Sequence, residues 1–269
     1  MSATDDRERL RQTFDTVAAR YHEARPDYPD ALYDAMTGMA RLAPDTDDIL
    51  EIGCGTGKAT IPLARRGFTI TAEELGTALA YEARRNLAAF PKVTVVNADI
   101  EDWQPPRPGM FGLVFAATAW HWIDPARRYR TAWELLRPDG HLAFWEASHV
   151  HPDGGDSFFL EIQDVYDEIG EGMPPGSVFA KPDTLADHSA EIAATGLFTD
   201  VTTRRFDWEI TYTAESYLRL LDTFSGHIEM EPWKRDRLYG EIRTRLARRP
   251  DGSVRRHWGV VLHVARKRT

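Results

Sequence analysis

The sequence has a single cysteine, Cys54, and no long apolar run. One cysteine excludes an intramolecular disulfide and a cysteine-based metal cluster. No apolar stretch approaches the roughly 20 residues that a membrane-spanning helix needs. Residues 1–11 are polar and charged, and they lack the apolar segment of a signal peptide. We therefore expect a cytoplasmic protein that has no membrane partner and no metal site.

Positive charge is also scarce in comparison with negative charge. The chain has 33 Lys and Arg against 42 Asp and Glu, which gives a formal net charge of −9 at pH 7. An acidic protein is repelled by nucleic acid and by anionic membranes, so no nucleic-acid partner is expected. One dense basic group is predicted to be the solvated face of a helix. It consists of Arg243, Arg245, Arg248 and Arg249.

A glycine-rich turn is the most informative feature that the sequence does contain. The run Ile49-Leu50-Glu51-Ile52 is typical of a buried strand, and Gly53-Cys54-Gly55-Thr56-Gly57 leads from it into a predicted helix, 58–66. Glycines let the backbone approach a ligand closely and permit positive φ. Together with the helix N-terminus they predict the nucleotide-binding position of a doubly wound α/β fold.

Two common phosphate-binding patterns do not fit this turn. The dinucleotide pattern Gly-x-Gly-x-x-Gly would need its third glycine at Lys58 or Thr60. A P-loop would need glycine at Ile52 and serine or threonine at Ala59. What remains is Glu-x-Gly-x-Gly-x-Gly, which starts at Glu51. An NAD-dependent oxidoreductase is disfavoured by this pattern and stays an alternative.

Acidic residues follow the next two predicted strands. Strand 68–72 ends in Glu73-Glu74, roughly 20 residues beyond the turn, where an acid that accepts hydrogen bonds from ribose hydroxyls belongs. Strand 93–96 ends in Asn97-Ala98-Asp99-Ile100. The glycine turn and two acidic positions therefore lie at successive strand ends, in this order.

This arrangement resembles the class I S-adenosylmethionine-dependent methyltransferases of the bacterial small-molecule type, most strongly over residues 45–147. The resemblance implies S-adenosyl-L-methionine as the cofactor. Glu74, in preference to Glu73, would bind the ribose, Asp99 would bind the exocyclic amine of adenine, and Ile100 would pack on the base. The cofactor-binding residues implied are Tyr21, Arg25, Glu51, Gly53, Cys54, Gly55, Thr56, Gly57, Glu74, Leu75, Asp99, Ile100, Ala116 and Trp120.

The chain departs from the family pattern in two places. Gly112 occupies a position that is usually acidic, and Glu73 occupies a position that is usually apolar. The acid at position 112 is commonly structural, so its loss has little consequence. The presence of Glu73 leaves the choice between two neighbouring ribose acids open.

The sequence Ala119-Trp120-His121-Trp122 follows the predicted fourth strand, 110–119. The carboxyl ends of strands face the ligand crevice in an open α/β sheet. Trp120 and Trp122 would wall the donor and acceptor pockets, and His121 would act as a general base toward an acceptor hydroxyl, amine or acidic carbon. The alternative is that one tryptophan packs in the core while His121 bonds to the backbone.

The N-terminal region resembles the lid of the same family. Tyr21 would close over the cofactor, and Arg25 would bind its methionine carboxylate by charge-assisted hydrogen bonds. The alternative is a simple connector in which Tyr21 packs and Arg25 stays solvated.

The fold class predicted is α/β, with a doubly wound, mostly parallel, seven-stranded Rossmann-like sheet. Residues 1–269 would form one domain, with an N-terminal helical lid over 1–44 and a cofactor-binding core over 45–148. A helical insertion or cap over 149–183 would follow strand five, and 184–269 would complete the sheet. By the resemblance, the last strand lies antiparallel between strands five and six.

The function predicted is methyl transfer to a small-molecule acceptor by in-line displacement, in a monomer or homodimer. A catalytically silent protein that binds S-adenosylmethionine is the second alternative, because fold does not imply activity. The identity of the acceptor and the atom that is methylated do not follow from the sequence.

Overall fold

The computed structural model describes residues 22–269, so the predicted lid residue Tyr21 lies outside the described part of the chain. Eight strands occur in this part. They are β1 (Asp48–Ile52), β2 (Thr69–Glu74), β3 (Val93–Asn97), β4 (Phe111–Ala117), β5 (Leu136–Trp145), β6 (Ser148–Val150), β7 (Phe198–Thr213) and β8 (Ser253–Lys267).

Ten α-helices accompany these strands within residues 22–269. They are α1 (Asp30–Met39), α2 (Thr60–Arg65), α3 (Thr77–Asn86), α4 (Arg128–Leu135), α5 (Phe158–Glu161), α6 (Gln163–Glu168), α7 (Ser189–Ala194), α8 (Ala214–Leu221), α9 (Ser225–Ile228) and α10 (Pro232–Ala247). Two short 3₁₀ helices cover Trp120–Trp122 and Pro182–Thr184. None of the helices described combines the length and the apolar character of a membrane span.

The strands form one mixed sheet whose parallel part runs β3-β2-β1-β4-β5. β8 is antiparallel to both β5 and β7 and lies between them, as expected for the last strand. The short β6 pairs with β8 beyond the end of β5 and adds an eighth strand to the seven predicted. The doubly wound, mostly parallel α/β fold is confirmed.

The central strands are buried on both faces, as parallel strands covered by helices must be. The first six residues of β4 are all buried. Successive side chains alternate between two cores: Leu50 and Val114 pack on one face, and Ile49 and Phe115 on the other. α4 covers the first core and α1 covers the second. This layering leaves the carboxyl ends of the parallel strands free to form a site.

The helices differ in detail from what the sequence predicts. Apolar residues at helical spacing over 158–169 predict one amphipathic helix, and two short helices, α5 and α6, form there instead. Two helices are predicted between β7 and β8, and three are observed. Asp124 and Pro125 are predicted to begin a helix; Asp124 does cap the turn that leads into it, since its Oδ1 accepts from the N–H of Ala126 and its carbonyl from those of Arg127 and Arg128, but α4 itself starts at Arg128. The predicted division of the chain into four segments stays a prediction.

The glycine at position 112 has a local explanation. A Cβ added to Gly112 would lie 2.6 Å from Oδ1 of Asp47, so the side chain of Asp47 already fills the space. Asp47 is buried and bonds to Arg137 at 2.6 Å and to the N–H of Ala43 at 2.9 Å. These hydrogen bonds outweigh burial and lower the pKa of the Asp47 carboxyl. An acid from the loop before β1 therefore stands where the family usually has one on β4.

Of the four arginines at the end of α10, Arg243 and Arg248 are exposed, as predicted for a solvated face, whereas Arg245 and Arg249 are partly buried. Arg245 bonds to Asp164 of α6 at 2.8 Å, and Arg249 binds both oxygens of Asp156 at 2.7 and 3.0 Å. Asp156 is buried, and Arg243 pairs with Glu215 at 2.7 Å. The basic group therefore holds the insertion and α8 against α10.

Candidate cofactor and acceptor site

A cavity of about 740 Å³ lies at the carboxyl ends of the parallel strands. In the sheet, β2 and β3 lie on one side of β1, whereas β4, β5 and β8 lie on its other side. The walls of the cavity therefore divide into two halves. The first, here called the glycine-turn half, is lined by residues 51–56, 73–77 and 99–100. The second, the aromatic half, is lined by Thr118, His121, Trp122, Glu146, Phe224 and Trp258. One continuous space therefore connects both sets of residues.

The three glycines of the turn have positive φ but different surroundings. At Gly55, with φ +58°, an added Cβ would meet nothing within 4 Å, so this position faces the open cavity. At Gly53 the Cβ would lie 2.7 Å from Cβ of Ala119. Gly57 does not line the cavity, contrary to its prediction as a cofactor residue: its φ is +86°, and a Cβ would lie 2.9 Å from Leu87. Glycine is needed at position 57 because the side chain of Leu87 leaves no room for a Cβ.

Both acids at the end of β2 tie the glycine turn in place. Oε2 of Glu73 accepts from the N–H of Gly53 at 3.1 Å. Oε2 of Glu74 accepts from the N–H of Gly55 at 2.8 Å, and its Oε1 accepts from Gly76 at 2.7 Å. Both side chains are buried and line the cavity. Since both carboxylates are buried and bond to N–H groups of the turn, the structure does not distinguish them, and the choice of Glu74 for the ribose stays a prediction.

Glu51 and Cys54 lie at the base of this half. Thr60 donates to Oε2 of Glu51 at 2.6 Å, and burial raises the pKa of Glu51 to about 8. Glu51 is therefore largely protonated near neutral pH. Burial also raises the pKa of the Cys54 thiol, which packs with Ala72, Ala83 and Leu87. A buried thiol of this kind is not a nucleophile.

The loop after β3 completes the glycine-turn half. Asp99, Ile100 and Leu75 all line the cavity. Leu75 is 37% exposed although it is apolar, so it offers an uncovered surface. Asn97 was not predicted to have a role, yet its Nδ2 donates to the carbonyls of Glu74 and Leu75 at 2.8 and 2.9 Å. It holds the loop after β2 in position.

The segment 22–29 crosses the cavity and contacts both halves. Nδ1 of His22 lies 2.9 Å from Oγ1 of Thr56, and Nζ of Lys58 lies 2.8 Å from Asp27. The hydroxyl of Tyr28 lies 2.8 Å from Oγ1 of Thr118 at the end of β4. The sequence did not single out His22, Asp27 or Tyr28 as lid contacts, because nothing local identifies the distant residues that they meet.

Arg25 belongs to the same segment and lines the cavity. Its Nη2 donates to the carbonyl of Thr223 at 2.8 Å, and its guanidinium carbon lies 4.2 Å from the centre of the Phe224 ring. Both partners follow α8, far from the glycine turn in sequence. The predicted solvated connector is therefore wrong for Arg25, and its role toward a carboxylate stays a prediction.

The end of β4 is held in an unusual conformation. Thr118 has φ +56°, a value that is strained in residues other than glycine and that occurs often at functional sites. Its Oγ1 accepts from the N–H of Ala147 at 3.1 Å and also contacts Tyr28. The ends of β4 and β5 are thereby joined beneath the segment 22–29.

The two tryptophans that flank His121 have different environments. Trp122 lines the cavity, as predicted. Trp120 does not line it: its ring stacks on Phe144 at 4.9 Å and meets Tyr129 edge-on at 5.3 Å. Ala116, another predicted cofactor residue, is fully buried in the core, and Ala117 lines the cavity instead. Trp120 and Ala116 pack in the core and are not brought to this cavity, and their predicted role in cofactor binding stays a prediction.

His121 faces the cavity beside a carboxylate that sequence reasoning missed. Its Nδ1 lies 3.7 Å from Oε1 of Glu146, which follows β5, and it makes no hydrogen bond within residues 22–269. Burial lowers the pKa of His121, Glu146 opposes this shift, and Arg128 adds to it. The imidazole is therefore mostly neutral near pH 7 and able to accept a proton. Both residues also border a second, smaller cavity of about 110 Å³.

Known proteins match the chain both in sequence and in fold. Residues 50–144 match the protein family described as methyltransferase domain. A Saccharomyces cerevisiae protein named probable S-adenosylmethionine-dependent methyltransferase CRG1 is 30% identical over 156 residues, 57% of this chain and 52% of that protein. Residues 50–144 therefore form a methyltransferase domain, and the chain is similar to the class I S-adenosylmethionine-dependent methyltransferases in sequence and fold. The family's cofactor is S-adenosyl-L-methionine.

Other methyltransferases extend this comparison. The trans-aconitate 2-methyltransferase of Deinococcus radiodurans is 31% identical over 134 residues, 47% of this chain and 50% of that protein. The matches thus span about half the length of both relatives. A solved structure from Anaeromyxobacter dehalogenans, assigned to the type II methyltransferases, superimposes with a TM-score of 0.61 at 25% identity. It covers 90% of this chain and 97% of its own. No finding supports the NAD-dependent alternative.

Proposed function

We propose that this methyltransferase transfers a methyl group to a small-molecule acceptor by in-line displacement. The observation that carries the proposal is the single cavity in which the glycine-turn half adjoins His121 and Trp122. Its volume of about 740 Å³ is in the range of small-molecule sites. The segment 22–29 covers it, which favours a compact acceptor over a macromolecular one. We place this chemistry in the cytoplasm.

The residues of the glycine-turn half fit S-adenosyl-L-methionine. Gly55 offers its backbone without a side chain, and the space beyond it is open. Glu74 supplies a carboxylate for the ribose hydroxyls, and Asp99 supplies one for the adenine amine. Leu75 and Ile100 provide apolar surface for the base. Arg25 would bind the methionine carboxylate from the covering segment, through a charge-assisted hydrogen bond.

The aromatic half would position the acceptor. When bound, S-adenosyl-L-methionine supplies a methyl carbon on a sulfonium that a nucleophile attacks from the opposite side. His121 would accept the acceptor's proton at a ring nitrogen, and Glu146 would stabilise the resulting imidazolium. Trp122 and Phe224 would orient the acceptor, while Tyr28 and Arg25 keep water out of the cavity.

Small carboxylic acids are a reasonable first set of acceptors. The relative from Deinococcus radiodurans is named for methylation of trans-aconitate. We therefore include trans-aconitate, related di- and tricarboxylates and their uncharged esters in the acceptor screen.

Calorimetry against three ligands tests the proposed cofactor site. We expect the protein to bind S-adenosyl-L-methionine and S-adenosylhomocysteine and to ignore NAD. Mass spectrometry of reactions that contain the acceptor set should then detect a product that is heavier by one methylene. NAD binding without donor binding would overturn the proposal, and donor binding without any methylated product would favour the catalytically silent alternative.

A further inference from the structure

Arg256 of β8 is a buried cation without a counter-ion. Its side chain belongs to a residue that is 7% exposed, and it forms no ion pair with any carboxylate in residues 22–269. Within the described residues, its side chain makes one hydrogen bond, from Nη1 to the hydroxyl of Tyr217, which is long at 3.3 Å, and its Nε is buried without a partner. Buried charges are normally paired, so an uncompensated guanidinium indicates a partner that residues 22–269 do not provide.

Aromatic rings surround this guanidinium. Its central carbon lies 4.6 Å from the centre of the Trp258 ring and 5.3 Å from that of Phe224. Phe159 and Tyr217 lie at 5.9 and 6.0 Å. Cation–π attraction offsets part of the cost of burial, yet the rings carry no net charge and leave the positive charge uncompensated.

The titratable groups nearby are neutral or already bonded. Burial lowers the pKa of His149 to about 2 and that of His227 to about 4, and the charge of Arg256 adds to both shifts. The two carboxylates that act on His227 are engaged elsewhere, Asp222 with Tyr239 and Glu171 with Lys234. Within the described residues, Nε2 of His149 is also buried without a partner.

Arg256 lies directly behind the aromatic half of the cavity. Phe224 and Trp258, the two nearest rings, line that half. The opposite half carries the carboxylates of Glu73, Glu74 and Asp99. Three acids therefore lie around the glycine turn, whereas the far wall has Glu146 beside His121, Arg25 over Phe224 and the buried cation of Arg256 one ring layer behind. In such a low-dielectric site, a charge attracts an opposite charge across this layer.

We propose that the acceptor carries a carboxylate, and that this group binds at the Phe224–Trp258 wall with Arg256 as its counter-ion. The inference rests on the proposed function and names the acceptor class of the same site. The carboxylate is the group by which the acceptor is recognised. The atom that receives the methyl group lies apart from it, at His121 and Trp122.

A matched pair of probes tests this assignment. Phenylacetate and phenylacetamide have nearly the same shape, and only phenylacetate is charged. Each is titrated into the complex of the full protein with S-adenosylhomocysteine. We expect phenylacetate to bind the wild-type complex about tenfold more tightly than phenylacetamide, because only the charged carboxylate is attracted by Arg256 across the ring layer.

Substitutions at two adjacent positions assign the preference to Arg256. Arg256→Gln should remove the preference for phenylacetate and leave the affinity for S-adenosylhomocysteine unchanged. Arg256→Lys keeps the charge and should retain part of the preference, which covers the case in which the glutamine variant fails to fold. Arg255→Gln is the control, since the Arg255 side chain is 53% exposed and its one ion pair within residues 22–269 is with Glu209, at 3.8 Å. The Arg255→Gln variant should keep the wild-type preference for phenylacetate over phenylacetamide.

Several results would overturn the proposal. They are equal binding of the two probes to the wild-type complex, no phenylacetate binding at millimolar concentration, or a preference that survives in Arg256→Gln. Tighter binding of inorganic phosphate than of phenylacetate would make the site a phosphate site instead. Loss of S-adenosylhomocysteine affinity in Arg256→Gln would assign Arg256 to the methionine carboxylate. Failure of the wild type to bind S-adenosylhomocysteine would contradict the proposed function instead.

Discussion

The glycine-turn half of the cavity comes from short runs that follow β1, β2 and β3, whereas the aromatic half joins residues from widely separated parts of the chain. In the first half the backbone itself forms the surface, and Glu73 and Glu74 fix it by bonds to Gly53 and Gly55. In the second half, Thr118, Glu146, Phe224 and Trp258 meet only because the sheet and the C-terminal helices bring them together. The cofactor end is thus specified locally, and the acceptor end is specified by tertiary structure.

The largest expected effect is on the glycine-turn half. Gly55→Val should abolish binding of S-adenosyl-L-methionine, because the new side chain would project into the open space at Gly55. Calorimetry of the folded variant measures this loss.

A control separates this steric effect from backbone strain. Gly176 has φ +81° and also has nothing within 4 Å of an added Cβ, but it lies outside the cavity lining. Gly176→Val should cost stability through the same strain and leave donor affinity intact. Unchanged affinity in Gly55→Val would mean that the turn does not hold the cofactor.

A smaller effect, on rate alone, is expected in the aromatic half. His121→Ala should lower turnover roughly 10²–10⁴-fold, the usual contribution of a general base, and leave donor affinity nearly unchanged. The wild-type rate should rise with pH through the His121 pKa, which burial lowers, because only the neutral imidazole accepts a proton. The variant should lose this limb of the pH–rate profile.

Glu146 provides the matching control for the pH profile. Its carboxylate raises the His121 pKa, so Glu146→Gln should move the rising limb to lower pH. An NMR titration of the His121 ring measures the same shift without turnover. If His121→Ala keeps normal turnover and an unchanged profile, His121 only shapes the pocket.

Next in size is the effect of the acids at the ribose and adenine positions. Glu74→Ala and Asp99→Ala should each weaken donor binding by about 1.5–3 kcal/mol, the value of hydrogen bonds to a charged group. Glu73→Ala is the comparison, because Glu73 also bonds to the turn through Gly53. A large loss at Glu73 alone would reverse the choice between the two acids. Small and equal losses of donor affinity in Glu74→Ala and Asp99→Ala would argue against both the ribose and the adenine assignment.

The smallest effect is expected where the covering segment meets the sheet. Tyr28→Phe removes the hydroxyl that lies 2.8 Å from Thr118 and keeps the ring against Trp145. The free energy of unfolding should fall by about 0.5–1.5 kcal/mol, the net value of one hydrogen bond. Denaturant titration measures it. An unchanged stability would mean that water replaces the bond and that the segment rests on packing alone.

The contrast between the two halves also determines which site residues could be predicted from the sequence. The strand ends after β1, β2 and β3 carry their functional residues in the local sequence, so Gly55, Glu74, Asp99 and Ile100 could be placed at the cavity. Trp120 could not be distinguished from Trp122, because a 3₁₀ turn rotates adjacent side chains in ways that a strand pattern does not encode. Glu146 and Trp258 belong to no motif, and only the pairing of β8 with β5 and β6 brings them to the site.

The ion pairs between α10 and the insertion indicate by which route the site opens. Arg249, which follows α10, donates to both carboxylate oxygens of buried Asp156, and Arg245 of α10 pairs with Asp164. The insertion and α10 would therefore move as one body. Within the described residues, the segment 22–29 is held by hydrogen bonds of His22, Arg25 and Tyr28 and by an ion pair of Asp27, whose side chain is 85% exposed. The weaker closure is the N-terminal one. Cofactor and acceptor would then enter and leave past the segment 22–29, which would pivot near Pro29, while the insertion and α10 stay in place because ion pairs hold them together.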